Sequence, residues 1–459
     1  MQTEDTIIAL STAAGAAAIA VIRLSGPEAI STTELLFRAR SKKNLETQKS
    51  HTIHLGDIVD GEQLIDEVLV SVFKNPHSYT GEDVIEISCH GSRYIQEKII
   101  QLFIHQGIRP AKAGEFTLRA FINGKMDLAQ AEAVADVIAS ENEASHQVAM
   151  QQMRGGISQE IKQLRQELLH FASLIELELD FAEEDVEFAD KSAFEALLVK
   201  INALLKKLID SFALGNVIKK GVPIAIIGPP NAGKSTLLNA LLEEDKAIIS
   251  SIAGTTRDSI EDEITIEGIG FRFIDTAGIR ETQDEIEQIG IKKAFEKAQQ
   301  AAIILYLIDS QNFTEEEKSH REKLKDLQTQ FPNKPLWILL NKTDLIKESL
   351  PTTIEGYPSL QMSAKSKTGI ELLKQVLVQY MEENNYQDES IITNSRHYAA
   401  LSSALAEISK VQKGLNNGLS GDLLAIDLRQ ALFHLGEITG EVTNDELLGN
   451  IFANFCIGK

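Results

Sequence analysis

PIAIIGPPNAGKSTLLNALL, residues 223–242, reads as three consecutive parts of one phosphate-binding device. Pro223–Ile227 has the apolar, β-branched composition of a buried strand, and a helix-forming segment follows from Lys234. Between them lies Gly228-x-x-x-x-Gly233-Lys234-Ser235. Backbone N–H groups of such a loop, and of the helix N-terminus behind it, point at bound phosphates. Lys234 is expected to reach the β and γ phosphates and the Ser235 hydroxyl to ligate Mg2+. Contacts to nucleotide are expected along Asn231, Ala232, Gly233, Lys234, Ser235 and Thr236. A glycine-rich turn alone is a weak signal, but one set between strand and helix is specific.

Further elements of the same site follow in order. GTTRD offers a threonine to complete the Mg2+ shell, with Thr256 preferred and Thr255 adjacent. FRFIDTAGI puts Asp275 at a strand end, where a carboxylate can hold a magnesium water. Thr276 and Ala277 follow, and Gly278 can turn its N–H toward the γ-phosphate. Asn341-Lys342-x-Asp344, after the buried run LWILL, reads the base. Guanine presents N1–H and an exocyclic amine side by side, and a carboxylate at 344 can accept from both, whereas adenine would leave it unpaired. GTP is therefore favoured over ATP. Ser363-Ala364-Lys365 fits a loop that packs on the guanine through backbone N–H groups. After DTAG, where a water-orienting glutamine often stands, this chain has Ile279, so hydrolysis needs another arrangement. Glu281, Asp284, Glu285 and Glu287 are the nearby carboxylates that could supply it.

Outward from this core, strand and helix patterns alternate up to about Met381, as in a doubly wound parallel sheet. Upstream, from Asp127 to Leu214, the pattern is long amphipathic helix interrupted by the acidic FAEEDVEFAD, and helical patterning returns in Ser395–Lys413, Asp422–Leu435 and Asn444–Phe455. Helices on both sides of an α/β unit suggest that the nucleotide domain is inserted into a helical one. The first 120 or so residues read as α+β, with strands at Ile19–Leu24, Thr52–Val59, Glu67–Phe73 and Val84–Cys89 and helices at Glu28–Phe37 and Ser92–Gln106. The length of 459 residues suggests about three domains. A hydrophobic content of 43% and charged content of 24% are ordinary for a globular protein, and no apolar run approaches a membrane span. The polar, acidic start at Met1–Asp5 shows no targeting signal, so a cytoplasmic home is expected. Cys89 and Cys456 make neither a disulfide framework nor a metal-ligand spacing. A net charge of −22 argues against a broad basic face for nucleic acid, so RNA contact would need a local patch or a basic partner.

GPPNAGKS, IAGTTRD, DTAGIRE and NKTD, together with SYTGEDVIEISCHG, AGEFTLRAFINGKMDLAQAEA and the terminal CIGK, resemble the MnmE (TrmE) tRNA-modification GTPases over Asp5–Lys459. The GTPase strings are shared with other families, whereas the N-terminal segments and CxGK are far more specific to this one. The resemblance implies a multidomain α+β fold. A tetrahydrofolate-binding and dimerising α+β domain would occupy residues 1–121, and a discontinuous all-α domain residues 122–216 and 382–459. A Ras-like α/β P-loop G domain would be inserted at 217–381. It further implies a homodimer that works with a flavin-containing partner of the MnmG (GidA) type on the wobble uridine of certain tRNAs. An aminomethyl or carboxymethylaminomethyl group would be placed at C5, its bridging carbon drawn from 5-formyl- or methylene-tetrahydrofolate.

Residue by residue, the resemblance places folate contacts at Arg23, Glu82, Lys125 and Lys459, and a suspected reactive thiol at Cys456. It assigns K+ to the Asn231 side chain and to Ser250, Ile252 and Thr255, and water positioning to Glu287. Two rivals remain. A ribosome-assembly GTPase usually carries a basic RNA-binding module, which this chain does not show, and a vestigial scaffold would not keep Lys234, Ser235, Thr256 and Asp275 intact. The base assignment is open to a direct test. Asp344→Asn presents a donor to a guanine donor, and should move preference from GTP toward xanthosine triphosphate. Competition binding that ranks the two nucleotides as before would remove Asp344 from the base site.

Overall fold

The structure, a computed structural model, describes residues 5–180, 191–246, 262–274, 295–346, 350–383, 391–453 and 455–458. Two units are distinguished within it. The first comprises Met1–Ile138, Gln152–Leu198 and Ala406–Lys459, and the second Ala139–Gln151 and Val199–Leu405.

The first unit begins with β1 (Ile7–Leu10), β2 (Ile19–Ser25), α1 (Ala29–Leu36), β3 (Phe37–Ala39), β4 (Thr52–Asp60), β5 (Gln63–Phe73), β6 (Val84–His90), α2 (Arg93–His105), β7 (Arg109–Pro110) and α3 (Glu115–Ile122). The strands form one sheet in the order β3-β4-β5-β6-β2-β1-β7, antiparallel throughout except for the parallel pair β1–β7. Alternation sets its faces. Val68, Val70 and Val72 of β5 and Ile85, Ile87 and Cys89 of β6 point to the side covered by Ala29, Ile30, Ile99, Leu102 and Phe103 of the two helices. The four strands expected from composition are all present. The additional β1, β3 and β7 are two to four residues long, too short to show a period, and exist because a neighbour supplies their hydrogen bonds.

The helical stretch contains α4 (Leu128–Ala139), α5 (Glu143–Met153), α6 (Gly156–Asp180) and α7 (Lys191–Lys220). Asp127 caps α4: its carboxylate accepts from the Gln130 N–H at 3.0 Å while the Gln130 side chain accepts from the Asp127 N–H, also at 3.0 Å. Ser158 and Lys162 of α6 donate to the same carboxylate at 3.0 and 2.7 Å, which ties two helices to one cap. Along α6, Ile157, Ile161, Leu164, Leu168, Ala172 and Ile175 form the buried stripe that the 3.6-residue period requires. The acidic segment 181–190 lies outside the described residues.

The second unit is built on β8 (Val222–Ile227), α8 (Lys234–Lys246), β9 (Asp262–Ile266), β10 (Ile269–Phe273), β11 (Ile303–Asp309), α9 (Phe313–Gln330), β12 (Leu336–Asn341), β13 (Thr353–Ile354), β14 (Tyr357–Gln361) and α10 (Ile370–Glu383). Sheet order is β13-β14-β12-β11-β8-β10-β9, with parallel pairing from β14 to β10 and antiparallel pairing of β9 and β13 at the two edges. Both faces are buried, as a parallel sheet demands. In β11, Ile303, Leu305 and Leu307 enter one core while Ile304, Tyr306 and Ile308 enter the other. From β8 the sheet continues to β10 on one side and to β11 on the other. That change of direction puts the carboxyl end of β8 at a topological switch point, where such sheets bind ligands. In this unit the Ala144 N–H, at the start of α5, donates to the Gly268 carbonyl of the β9–β10 turn at 2.9 Å.

The chain finishes in α11 (Ser395–Asn416), α12 (Gly421–Thr439) and α13 (Asp445–Phe452). Within the first unit, α12 buries Leu424, Leu428, Leu432 and Leu435, and the Arg165 Nε of α6 donates to its Leu432 carbonyl at 3.3 Å. Among the described residues, no helix is long and apolar enough to cross a membrane.

Candidate functional site

The loop between β8 and α8 meets Asn341, the last residue of β12. Gly233, at φ +100°, lies so close to Asn341 that a Cβ there would come within 2.3 Å of its side-chain nitrogen, so only glycine fits. Asn341 is 2% exposed and its amide joins two loops. Nδ2 donates to the Ala232 carbonyl at 2.8 Å, and Oδ1 accepts from the Ala364 N–H at 2.9 Å. One side chain from the base-reading string thus ties the phosphate loop to the Ser363-Ala364-Lys365 loop.

Lys234 opens α8 and folds back over its own loop, its Nζ donating to the carbonyls of Gly228 at 2.9 Å and Pro229 at 2.8 Å. Burial, reinforced by Lys297, pushes its ammonium down to about 8. Ser235 and Thr236 occupy the first turn of the helix, and Asn231 stands exposed on the loop at φ +62°. On the base side, Lys342 is left-handed at φ +64° and its Nζ donates to Asp309 Oδ2 at 2.6 Å. Asp344 is exposed on the short turn Thr343–Leu345, which is held by the Thr343 N–H donating to the Met362 carbonyl at 3.2 Å. Ser363 is buried, its N–H donating to the Thr368 carbonyl at 2.9 Å, and Lys365 is exposed. Asp309, the partner of Lys342, is a residue that sequence reasoning missed. Its signal was a carboxylate ending a fully apolar strand, the same signal that singled out Asp275.

Several expected positions lie outside the described residues. They are Ser250, Ile252, Thr255, Thr256, Asp275, Thr276, Ala277, Gly278, Ile279, Glu281, Asp284, Glu285, Glu287 and Lys459.

A second cluster is built on β2, the loop before β6, and α3. The Arg23 guanidinium donates to Glu86 Oε1 from Nε at 2.9 Å and from a terminal nitrogen at 2.7 Å. It lies 5.3 Å from the ring centre of Tyr79 and 5.7 Å from that of Phe116. The Ser25 Oγ donates to Glu82 Oε2 at 2.6 Å, which leaves Thr80 to donate to that same Ser25 oxygen at 2.7 Å. Asn123 donates to the Thr80 carbonyl at 2.8 Å and Lys125 to the Pro76 carbonyl at 2.9 Å, so the NGK segment clamps the SYTGE loop. Arg23, Glu82 and Lys125 are therefore drawn to neighbouring segments of one unit.

The C-terminal tail joins that unit. The Gly114 N–H donates to the Cys456 carbonyl at 3.3 Å, Ile457 bridges to Ala113, and Ser11 Oγ donates to the Gly458 carbonyl at 3.0 Å. Gly114 is left-handed at φ +64°, and a Cβ there would meet the Phe452 carbonyl at 2.8 Å. Cys456 is exposed, whereas Cys89 is buried, which pushes its thiol up to about 11. Among the described residues no cluster of His, Cys, Asp and Glu could hold a metal ion by itself.

Sequence reasoning also missed the ionic group behind Glu82: Asp5, Arg109, Glu115 and Arg119. Arg109 pairs with Glu115 and Asp5 and is held above its ordinary value by those partners. Burial alone would push the Glu115 carboxyl up, but hydrogen bonds from Arg109, the Lys112 N–H and Arg119 hold it below the usual range.

A parallel sheet whose GxxxxGKS loop is tied through one amide of the NKTD string to the SAK loop fits one class, the P-loop GTP hydrolases. Within that class, the chain belongs to the MnmE family of tRNA modification GTPases. The pattern of the MnmE helical domain matches residues 128–456, and that of the GTP-binding protein TrmE N-terminus matches residues 6–125. The tRNA modification GTPase MnmE of Christiangramia forsetii is 60% identical over 474 residues, covering 100% of both chains. Its counterpart in Bacteroides thetaiotaomicron is 53% identical over 467 residues, covering 99% of this chain and 100% of that one. The solved FeoB G-domain from Methanococcus jannaschii is 27% identical, covering 35% of this chain and 98% of that one, with a TM-score of 0.26.

Asn341→Ala would strand the buried Ala232 carbonyl and Ala364 N–H, at roughly 1–3 kcal/mol for each unsatisfied group. Hydrogen exchange at the Ala364 amide should then quicken by about tenfold or more. Unchanged protection at Ala364 would show that Asn341 does not hold these loops.

Proposed function

We propose that this chain is a potassium-activated GTPase that, with a flavin-containing partner of the MnmG type, installs a C5 aminomethyl or carboxymethylaminomethyl group on the wobble uridine of certain tRNAs, using a tetrahydrofolate one-carbon unit. The observation that carries the proposal is the seating of the tail. Cys456, Ile457 and Gly458 run between Ser11 and the Ala113–Gly114 turn, on the same unit as Arg23, Glu82 and Lys125. That a tail bearing one of the family-specific strings packs on the unit that also carries Arg23, Glu82 and Lys125 supports the reading.

The chemistry of both sites fits. A half-buried ammonium among carbonyls, at the open end of a helix, is suited to β and γ phosphates, and their negative charge favours its protonated form. Lys234 then binds the phosphates and Asp344 orders the base, while Ser235, Thr256 and Asp275 serve Mg2+. Asn231, Ser250, Ile252 and Thr255 hold K+. With Mg2+ and K+ bound, their positive charge offsets the negative charge that develops on the γ-phosphate, as an arginine finger does elsewhere. Glu287 positions water in place of the glutamine that Ile279 replaces. Glu82 suits the N–H edge of a pterin, and Arg23, Lys125 and Lys459 suit the carboxylates of the folate tail. The acidic balance of −22 supports an assembly in which the partner carries much of the tRNA contact. The working form is a homodimer in the cytoplasm.

Potassium should accelerate hydrolysis well above sodium at equal ionic strength, toward the roughly thousandfold or more that an arginine finger contributes. Asn231→Ala should erase that difference, and Glu287→Ala should slow hydrolysis without a large loss of nucleotide binding. Equal rates in the two salts would end the potassium assignment. Deletion of Cys456–Lys459 should abolish tRNA modification and leave intrinsic GTP hydrolysis nearly intact, as read by nucleoside analysis and phosphate release. Equal loss of both would make the tail structural.

A further inference from the structure

Asp309 ends β11, and Asn341, the last residue of β12, lies directly across from it. Strand alternation puts Asp309 on the side of Ile303, Leu305 and Leu307, whose core also takes in Ala232 of the phosphate loop and Met362 and Ala364 of the base-side loop. The carboxylate thus stands at the carboxyl end of the sheet, beside the nucleotide strings. Its two oxygens are engaged differently. Oδ1 accepts from the Gln311 N–H at 3.0 Å, and the Asp309 carbonyl accepts from the Asn312 N–H at 3.3 Å, which closes the turn into α9. Oδ2 accepts from the Lys342 ammonium at 2.6 Å. Closing the turn needs one side-chain oxygen, which an asparagine or a serine would also supply. The ion pair is what calls for a carboxylate.

Lys342 is anchored at its other end as well. Its backbone is left-handed at φ +64°. On one side the Asn341 carbonyl accepts from the Ser310 N–H at 2.9 Å, and on the other the Thr343 N–H donates to the Met362 carbonyl at 3.2 Å. With Cα fixed by these neighbours and Nζ by Asp309, the stem between them has a set course. The side chains of Asp309 and Lys342 are 15% and 30% exposed, and a pair open to solvent in this way contributes little to stability. A free lysine, by contrast, gives up much rotamer freedom when a ligand immobilises it. The ion pair removes that loss in advance. In the chain, Lys342 stands between the amide that joins the phosphate loop to the SAK loop and Asp344, the acceptor for the guanine edge. With its head turned to Asp309, what it offers a ligand is its apolar stem.

We propose that Asp309 is a positioning residue for guanine nucleotides: its carboxylate, oriented by the Gln311 N–H, holds the Lys342 ammonium and so lays out the Lys342 stem in advance as a platform for the face of the base. This rests on the reading of the NKTD string as the base site. It makes part of the nucleotide affinity a property of a residue that does not touch the ligand.

The test measures the affinity of the full-length protein for GDP, with KM and kcat of GTP hydrolysis in potassium and thermal unfolding alongside. Asp309→Asn keeps an oxygen for the Gln311 N–H and gives up the ion pair. It should weaken GDP by about twofold to tenfold, the loss expected from immobilising one long side chain. That loss should appear in KM rather than in kcat, because the platform serves ground state and transition state alike. Lys342→Met keeps an apolar stem without the ammonium and should weaken GDP to a similar extent. The double variant should bind no more weakly than either single one, since both remove the same contact. Wild-type affinity in Asp309→Asn overturns the proposal, and so does a loss that persists in full on the Lys342→Met background. If Asp309→Asn does not fold, Lys342→Met carries the test: an affinity between those of the wild type and Lys342→Ala is expected, and either extreme overturns the proposal. Lys342→Ala also separates the two levels. If it binds GDP as the wild type does, Lys342 is not at the base, and the base-site reading falls together with the role of Asp309. If Lys342→Ala weakens binding while Asp309→Asn does not, only the role of Asp309 is lost.

Discussion

A guanidinium sealed from water has to be surrounded by oxygens, and in the N-terminal unit this requirement organises three segments that are remote in sequence. Arg119 on α3 draws in the start of β1 through Asp5, the loop before β6 through Glu82, and its own helix through Glu115. Removing one carboxylate from such a group leaves charge unpaired in a poorly solvated place, so the loss of any one of these segments from the group is costly even though apolar packing could bind them as well. Once α3 is set, its other side receives the end of the chain. Leu118 and Phe121 meet Phe452 and Phe455 there, and Gly114 at its N-terminus holds the Cys456 carbonyl. The residues the family resemblance assigns to folate and the thiol of the tail are thereby carried by one helix and its neighbours.

The second unit solves a similar problem with an uncharged group. Its phosphate loop and its two base-side loops are separated by more than 100 residues of chain, and each has backbone groups that would be buried without partners. Asn341 supplies a donor to one and an acceptor to another from a single planar amide, so the two loops are held at a fixed spacing. Aspartate would lack the donor and a hydroxyl the reach. The close approach of Gly233 is the geometric counterpart of this arrangement, because the amide occupies the space that any side chain at 233 would need.

Much of this is legible in one dimension. The phosphate loop, the DTAG and NKTD strings and the SAK loop declare themselves because their chemistry is local: glycine where backbone must approach, a carboxylate at a strand end, a lysine at a helix start. The four longer N-terminal strands are legible for the same reason, since alternation over seven or more residues is the mark of a strand with one buried face. β1, β3 and β7 are not, because strands of two to four residues are defined by the neighbour they pair with. The Arg119 group leaves only a faint trace, an arginine between Phe116 and Ala120 on the core-facing stripe of α3, with Glu115 one turn earlier.

By itself, then, the sequence determined the chemistry of the nucleotide loop, the α/β character of the domain around it, the helical flanks and the family. These depend on contacts between residues close in the chain, whose spacing can be read directly. Only the tertiary structure decided that Asn341 joins the phosphate loop to the base-side loop and that Asp309 takes up Lys342. It also decided that Glu82 is held from behind by Arg119 and that the tail beyond α13 closes on Ser11 and Gly114. Each of those contacts spans tens to hundreds of residues, and a charged or amide group carries no mark of which distant partner will satisfy it until burial removes water as the alternative.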